Sequence, residues 1–133
     1  MWRRNVVGKV VRIKREVLDS ILTYAITFHP KESILLLRGK TEKEAVVVYD
    51  LLIPPGAVHG ETLSSFNPWM LPLDSTIVGV AHSHPSGQLR PSRQDLDVFY
   101  GRIMVLTGPP YRSEKDVAVF DGEGRPARFE IID

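Results

Sequence analysis

The run Thr76-Ile77-Val78-Gly79-Val80-Ala81, leading directly into His82-Ser83-His84-Pro85, constrains this chain more than any other stretch. Apolar, largely β-branched residues in succession read as a buried strand. Residues i and i+2 of a strand share a face, so His82 and His84 aim at one point while Ser83 faces away and reads as structural. Pro85, Gly87 and Pro91 force a loop, after which a short helix is expected from about Arg93 to Tyr100. Asp95 falls in its first turn, where a folded-back loop can bring the carboxylate to the two imidazoles. Two neutral imidazoles and one carboxylate are a three-ligand zinc set that leaves a fourth position for water. The chain has no cysteine. That excludes disulfides, thiolate zinc sites and cysteine nucleophiles, and leaves the redox compartment undetermined.

Each part of this pattern has a plainer reading. Ser92-x-x-Asp95 ahead of Leu96, Val98 and Phe99 is also a reciprocal capping box. A His-x-His pair at a strand end is often a pair of polar edge residues. Two histidines on one face, a loop rich in breakers and a carboxylate borne by a helix seldom converge without a task. Ser92 can cap the helix and still present its hydroxyl to the same point.

Position for position, His82-Ser83-His84-Pro85 with Ser92 and Asp95 resembles the His-x-His-Pro-(six residues)-Ser-x-x-Asp signature of the JAMM/MPN+ metalloproteases. That family of zinc isopeptidases includes the deubiquitinase subunit of the proteasome lid and compact archaeal enzymes that remove ubiquitin-like modifiers. Its motif also needs a glutamate near the start of an early strand, after the first helix. His29-Pro30-Lys31-Glu32-Ser33-Ile34-Leu35-Leu36-Leu37 resembles that segment and puts the role on Glu32. Ser33-Ile34 departs from the small residue and glycine that many relatives carry there, which leaves the ligands untouched. The resemblance implies one JAMM/MPN+ domain over residues 1–133 with an MPN (cytidine-deaminase-like) α/β fold: a mixed sheet flanked by one long and one short helix.

The element pattern agrees with that architecture. Val6–Ile13 reads as a first strand. Val17, Leu18, Ile21, Leu22, Ala25 and Phe28 recur at helical spacing over Arg15–Phe28, and Pro30 ends that helix. Ile34–Leu37 reads as a short strand followed by a turn at Gly39-Lys40-Thr41-Glu42, and Ala45–Ile53 as a valine-rich strand. Residues 56–75 are irregular. Ile103–Thr107, Asp116–Phe120 and Arg128–Ile132 complete the sheet, the last two expected as a hairpin across Asp121-Gly122-Glu123-Gly124. Two helices cannot alternate with every strand, which disfavours a doubly wound parallel fold.

Composition bounds the rest. At 133 residues there is material for about one domain. A formal net charge of +1 gives no electrostatic case for nucleic acid or a membrane surface. The N-terminal apolar stretch is broken by Gly8, Lys9 and Arg12, so the expected compartment is the cytoplasm. Arginine outnumbers lysine, as expected of a heat-adapted source.

Amide hydrolysis needs an activated water and a stabilised oxyanion. Zinc on His82, His84 and Asp95 brings the pKa of a bound water to ~7. A carboxylate beside that water can take its proton and pass it to the departing lysine amine. The residues alone do not choose Glu32 over Glu16, Glu42, Glu44 or Glu61; the resemblance does. Ser92 would donate to the oxyanion. In relatives the irregular segment before the histidine strand holds the modifier's tail as an added strand. Here that is about Gly56–Met70, with Phe66, Trp69 and Met70 as candidate apolar contacts or, equally, core anchors of a long loop. His59 reads as a loop residue and His29 as a helix-end cation favoured by the macrodipole. The insertion some relatives use to embrace ubiquitin is minimal, around Tyr100-Gly101-Arg102, so a homodimer or a partner, proteasome-related or otherwise, is one source of affinity.

The expected activity is removal of ubiquitin or ubiquitin-like (β-grasp) modifiers from lysine conjugates, with one zinc per chain. C-terminal trimming of sulfur-carrier proteins would use the same site. A catalytically silent MPN scaffold is the alternative from another class, though silent relatives typically lack the ligands present here.

Overall fold

The computed structural model describes residues 9–54, 74–97 and 99–133. The tail-binding segment expected at Gly56–Met70, with Phe66, Trp69 and Met70, lies outside the described residues, as does His59. The described elements are β1 (Val10–Lys14), α1 (Arg15–Phe28), β2 (Ile34–Thr41), β3 (Ala45–Leu52), β4 (Ile77–Ser83), α2 (Arg93–Asp97), β5 (Ile103–Thr107), a single 3₁₀ turn (Glu114–Asp116), β6 (Val117–Asp121) and β7 (Phe129–Ile132). Among the described residues the strands form one seven-stranded mixed sheet in the order β6-β5-β4-β2-β3-β1-β7.

The long helix has the expected bounds. Lys14 supplies no side-chain cap, so α1 depends on the apolar stripe Val17, Leu18, Ile21, Leu22 and Ala25, all buried. At roughly 1.5–3 kcal/mol for each large aliphatic side chain taken from water, that stripe outweighs any single cap. It packs on one sheet face with Val11, Ile13, Leu35, Leu37, Val46, Val48 and Val105. On the opposite face Leu36, Val80, Met104, Leu106 and Phe120 pack with Leu89, Leu96 and Phe99 from the α2 region. β4 is buried along its whole length, as its apolar run requires. Gly79 is there for space: a Cβ would sit 2.1 Å from the Ile103 carbonyl oxygen on neighbouring β5.

Three sequence expectations are corrected. β2 does not stop at Leu37 but runs through Gly39-Lys40-Thr41, with its register against β3 shifting between Arg38 and Gly39. Gly39 serves close approach rather than a turn, since a Cβ would lie 2.0 Å from the Val47 carbonyl oxygen. The turn follows instead, where Glu42 N–H donates to Ala45 O. The short helix ends at Asp97 rather than Tyr100. Gly101, at φ +92°, presses onto the Val78 backbone, and Arg102 N–H donates to Val78 O, which draws the chain into β5.

The third correction is topological. β6 and β7 are not a hairpin, because β7 adds in parallel to β1 at the opposite end of the strand order. The Asp121–Gly124 turn does form, and the chain stays beside β6 for one bridge, Phe120↔Pro126, and the Ala127 N–H to Val119 O bond. It then passes to β1, where Val11 N–H donates to Arg128 O. Residues 126–128 thus bond first to β6 and then to β1. No periodicity in the sequence encodes that switch.

Candidate metal centre

β4 ends at the site. His82 lies opposite Ile34 on antiparallel β2 and beside Leu106 on parallel β5, on the face that α2 covers. His84 is one residue past the strand, and its backbone N–H donates to the Thr107 carbonyl at 2.7 Å, which carries the extended geometry forward. The loop Pro85–Pro91 folds back so that α2 places Asp95 against His84, with Nε2 to Oδ2 at 3.0 Å. All three side chains are buried: His82 is 3%, His84 9% and Asp95 1% exposed.

Hydrogen bonds fix the orientations. Nδ1 of His84 is 2.7 Å from the Gln88 carbonyl, which can only accept, so Nδ1 carries the proton. Nε2 therefore presents its lone pair toward the site, yet it too faces an oxygen, that of Asp95. An imidazole hemmed between two acceptors is stable as imidazolium or with a cation at its second nitrogen. Burial works against charging His84, but the Asp95 hydrogen bond, the Gln88 carbonyl and the charges of Asp95 and Glu32 prevail and raise its pKa. For Asp95 burial acts upward, and the His84 hydrogen bond, the Ser92 N–H and the two imidazoles overcome it to hold the carboxyl below its ordinary range. His82 is dominated by burial and is pushed down to about 4, so it stays neutral and ligand-ready at neutral pH.

Both nitrogens of His82 and Oδ1 of Asp95 are buried without a hydrogen-bond partner. Unpartnered buried polar atoms are expensive, and three of them around a histidine–carboxylate pair match the donor chemistry of a cation site. Among the described residues no group of three or more His, Asp or Glu is arranged to hold a metal ion as it stands. The donor types fit, and His84 Nε2 and Asp95 Oδ2, 3.0 Å apart, are near the separation of two ligand atoms each about 2.0 Å from one tetrahedral ion.

Ser92 and Asp95 form the reciprocal capping box: Ser92 N–H donates to Asp95 Oδ2 at 2.7 Å, and Asp95 N–H to Ser92 Oγ at 3.0 Å. The plain reading is thus realised, and the Ser92 hydroxyl proton remains available to donate elsewhere. Glu32 lies two residues before β2, with Ser33 between. The last β2–β4 pair is Ile34↔His82, and continuing that register two residues past it would bring Glu32 opposite His84. Its charge acts on His84. His29 closes α1 through its backbone N–H to Ala25 O, and its ring bonds the Tyr111 hydroxyl at 2.9 Å. Sequence reading missed Gln88 and Thr107, whose contributions come through backbone carbonyls and leave no side-chain signal. A shallow depression of about 320 Å³ along α1, lined by Asp19, Ser20, Thr23, Tyr24 and Thr27, contains none of these residues.

A mixed sheet between one long and one short helix, with His-x-His at a central strand end and Asp at the facing helix start, defines a JAB1/MPN-type α/β domain. Residues 14–120 match the family of prokaryotic homologs of the JAB domain. A protein of Haloferax volcanii described as a probable metalloprotease is 36% identical, over 94% of this chain and 81% of its own length. A JAB1/MPN domain protein from Archaeoglobus fulgidus superposes at TM-score 0.68 with 28% identity, covering 92% of this chain and 99% of that one. A structure described as JAMM, a metalloprotease-like zinc site in the proteasome and signalosome, gives TM-score 0.66 with 27% identity, over 94% of this chain and 100% of that one. The chain belongs to the JAMM/MPN+ family, among the prokaryotic homologs of the JAB domain. Membership supports a metal-dependent hydrolase of the metalloprotease class. No helix among the described residues is long and apolar enough to cross a membrane.

Proposed function

We propose that this protein is a zinc isopeptidase that removes ubiquitin-like modifiers from lysine conjugates, with His82, His84 and Asp95 holding the metal. The observation that carries the reading is the His84 imidazole, set between the Gln88 carbonyl and Asp95 beside the unpartnered nitrogens of His82. Zinc, when bound, supplies Lewis acidity, acidifying water to ~7 and polarising a carbonyl oxygen.

The remaining work falls to the chain. Gln88 fixes the His84 tautomer and directs Nε2 inward. The Ser92 N–H holds Asp95 Oδ2, leaving Oδ1 to the site. Glu32, opposite His84, takes a proton from the attacking water and returns it to the lysine amine as that group departs. Ser92, whose hydroxyl accepts from Asp95 N–H, turns its own proton to the developing oxyanion. The short α2–β5 connector, residues 98–102, leaves little chain near the site to grip a folded modifier. Affinity then rests on the modifier's extended tail, with Phe66, Trp69 and Met70 as its proposed apolar contacts, and on a partner or second copy.

The test is elemental analysis of zinc-supplied protein, together with cleavage of a panel: lysine-linked diubiquitin, lysine conjugates of small archaeal-type modifiers, and sulfur-carrier proteins with C-terminal extensions. Zinc binding with cleavage of a lysine conjugate, lost in Glu32→Gln with zinc retained, is the expected result. Cleavage confined to the extended sulfur carriers would reassign the substrate, and zinc binding without any cleavage would make the domain a scaffold.

A further inference from the structure

We propose that the buried Ser33–Ser83 hydroxyl pair is the device that holds Glu32 opposite His84, which makes Ser83 a positioning residue of the site. The inference rests on the reading of Glu32 as the acid–base group. Ser83 lies between the two histidines and, by strand alternation, faces the α1 side of the sheet. It is fully buried, and nothing in the hydrolytic mechanism uses it. Its Oγ accepts from the Ser33 backbone N–H at 2.8 Å and lies 3.1 Å from Ser33 Oγ. Its own N–H donates to Ser33 O. Three bonds therefore tie Ser33 to Ser83 just beyond the last strand pair, Ile34↔His82.

The consequence for Glu32 is geometric. Strand pairing between β2 and β4 ends at Ile34, and Glu32 is outside the ladder. A residue two steps past a strand end frays unless the residue between is held, and here that residue is Ser33. Ser83 supplies that hold from within the metal-binding strand itself, so His82, His84 and the carboxylate across from them share one rigid reference. The connector is anchored at its other end too, where His29 bonds Tyr111. Displacement of a reacting group by about 1 Å can cost roughly 10²-fold in rate, so a fixed Glu32 is worth a buried polar pair.

Ser83→Ala removes the acceptor while leaving every proposed ligand and Glu32 in place. It should lower kcat on the conjugate cleaved in the panel above by roughly 10- to 100-fold, with KM and zinc content unchanged. Amide exchange at Ser33 should accelerate. Ser83→Thr, which keeps the hydroxyl, should restore kcat. Ser33→Ala keeps the backbone bond to Ser83 and should cost less, and it carries the test if Ser83→Ala does not fold. In a Glu32→Gln background neither serine substitution should reduce kcat further, because nothing remains to be positioned. A Glu32→Gln variant with wild-type kcat would remove Glu32 from the mechanism and this proposal with it. An impaired Glu32→Gln alongside an unimpaired Ser83→Ala, or additive losses in the double variant, would overturn the positioning role alone.

Discussion

Lowering the pH of the chelator-treated protein from about 6 to about 4.5 should cost about 2 kcal/mol of folding stability through His82 alone. The residue is 3% exposed, and burial pushes its imidazole down to about 4 from an ordinary 6.5. Between those values the unfolded chain binds a proton that the folded chain does not, so stability falls with pH. The window isolates His82 from its neighbours. His84 has a raised pKa, so its contribution is nearly complete by pH ~6 and then stays level. Asp95 and Asp74 are lowered, and their contributions are lost as the pH falls below the ordinary carboxylate range of roughly 4. Urea unfolding across the window, compared with His82→Gln, measures the difference, and NMR titration of the His82 ring measures its cause. A ring that titrates near 6.5, or a wild-type slope no steeper than the variant's, would refute the argument that His82 is buried neutral. Excess zinc should hold the imidazole in its neutral form until acid displaces the metal.

Asp95→Ala should abolish zinc retention in elemental analysis, since it removes the charged donor; retention at wild-type levels would point to a different ligand set. Ser92→Ala loses the acceptor for Asp95 N–H and should cost about 1 kcal/mol of stability in urea. Assayed where it remains folded, it should also lose roughly 10²-fold in kcat; stability loss with full turnover would leave Ser92 a cap and nothing more. Gly79→Ala should destabilise by about 3 kcal/mol or more in thermal unfolding. The Ile103 carbonyl oxygen in its path belongs to a buried parallel strand and cannot move aside; a neutral result would mean that β4 and β5 are less closely paired.

Local regularities were legible in the sequence. The stripe Val17–Ala25 predicts α1 to the residue, and the β-branched run before His82 predicts a strand that the structure buries entirely. Both signals depend on a period of side chains along one element, which needs no knowledge of the partner. His82 and His84 on one face, Ser83 on the other and the Ser92–Asp95 box follow from the same local geometry.

What tertiary structure alone decided is where those elements meet. Gly39 reads as an ordinary turn former and Gly101 as part of a short connector, and only the approach of Val47 and of the Val78 backbone shows why side chains are excluded there. The Asp121–Gly124 turn looks like a hairpin from sequence, yet β7 joins β1. Strand partners are chosen by how the whole sheet pairs and packs, to which a turn contributes one local bend. The setting of His84 between the Gln88 carbonyl and Asp95 came likewise from the fold. Residue types state which donors a chain possesses; a carbonyl from a loop, or a register shared by strands more than forty residues apart, exists only once the sheet has assembled.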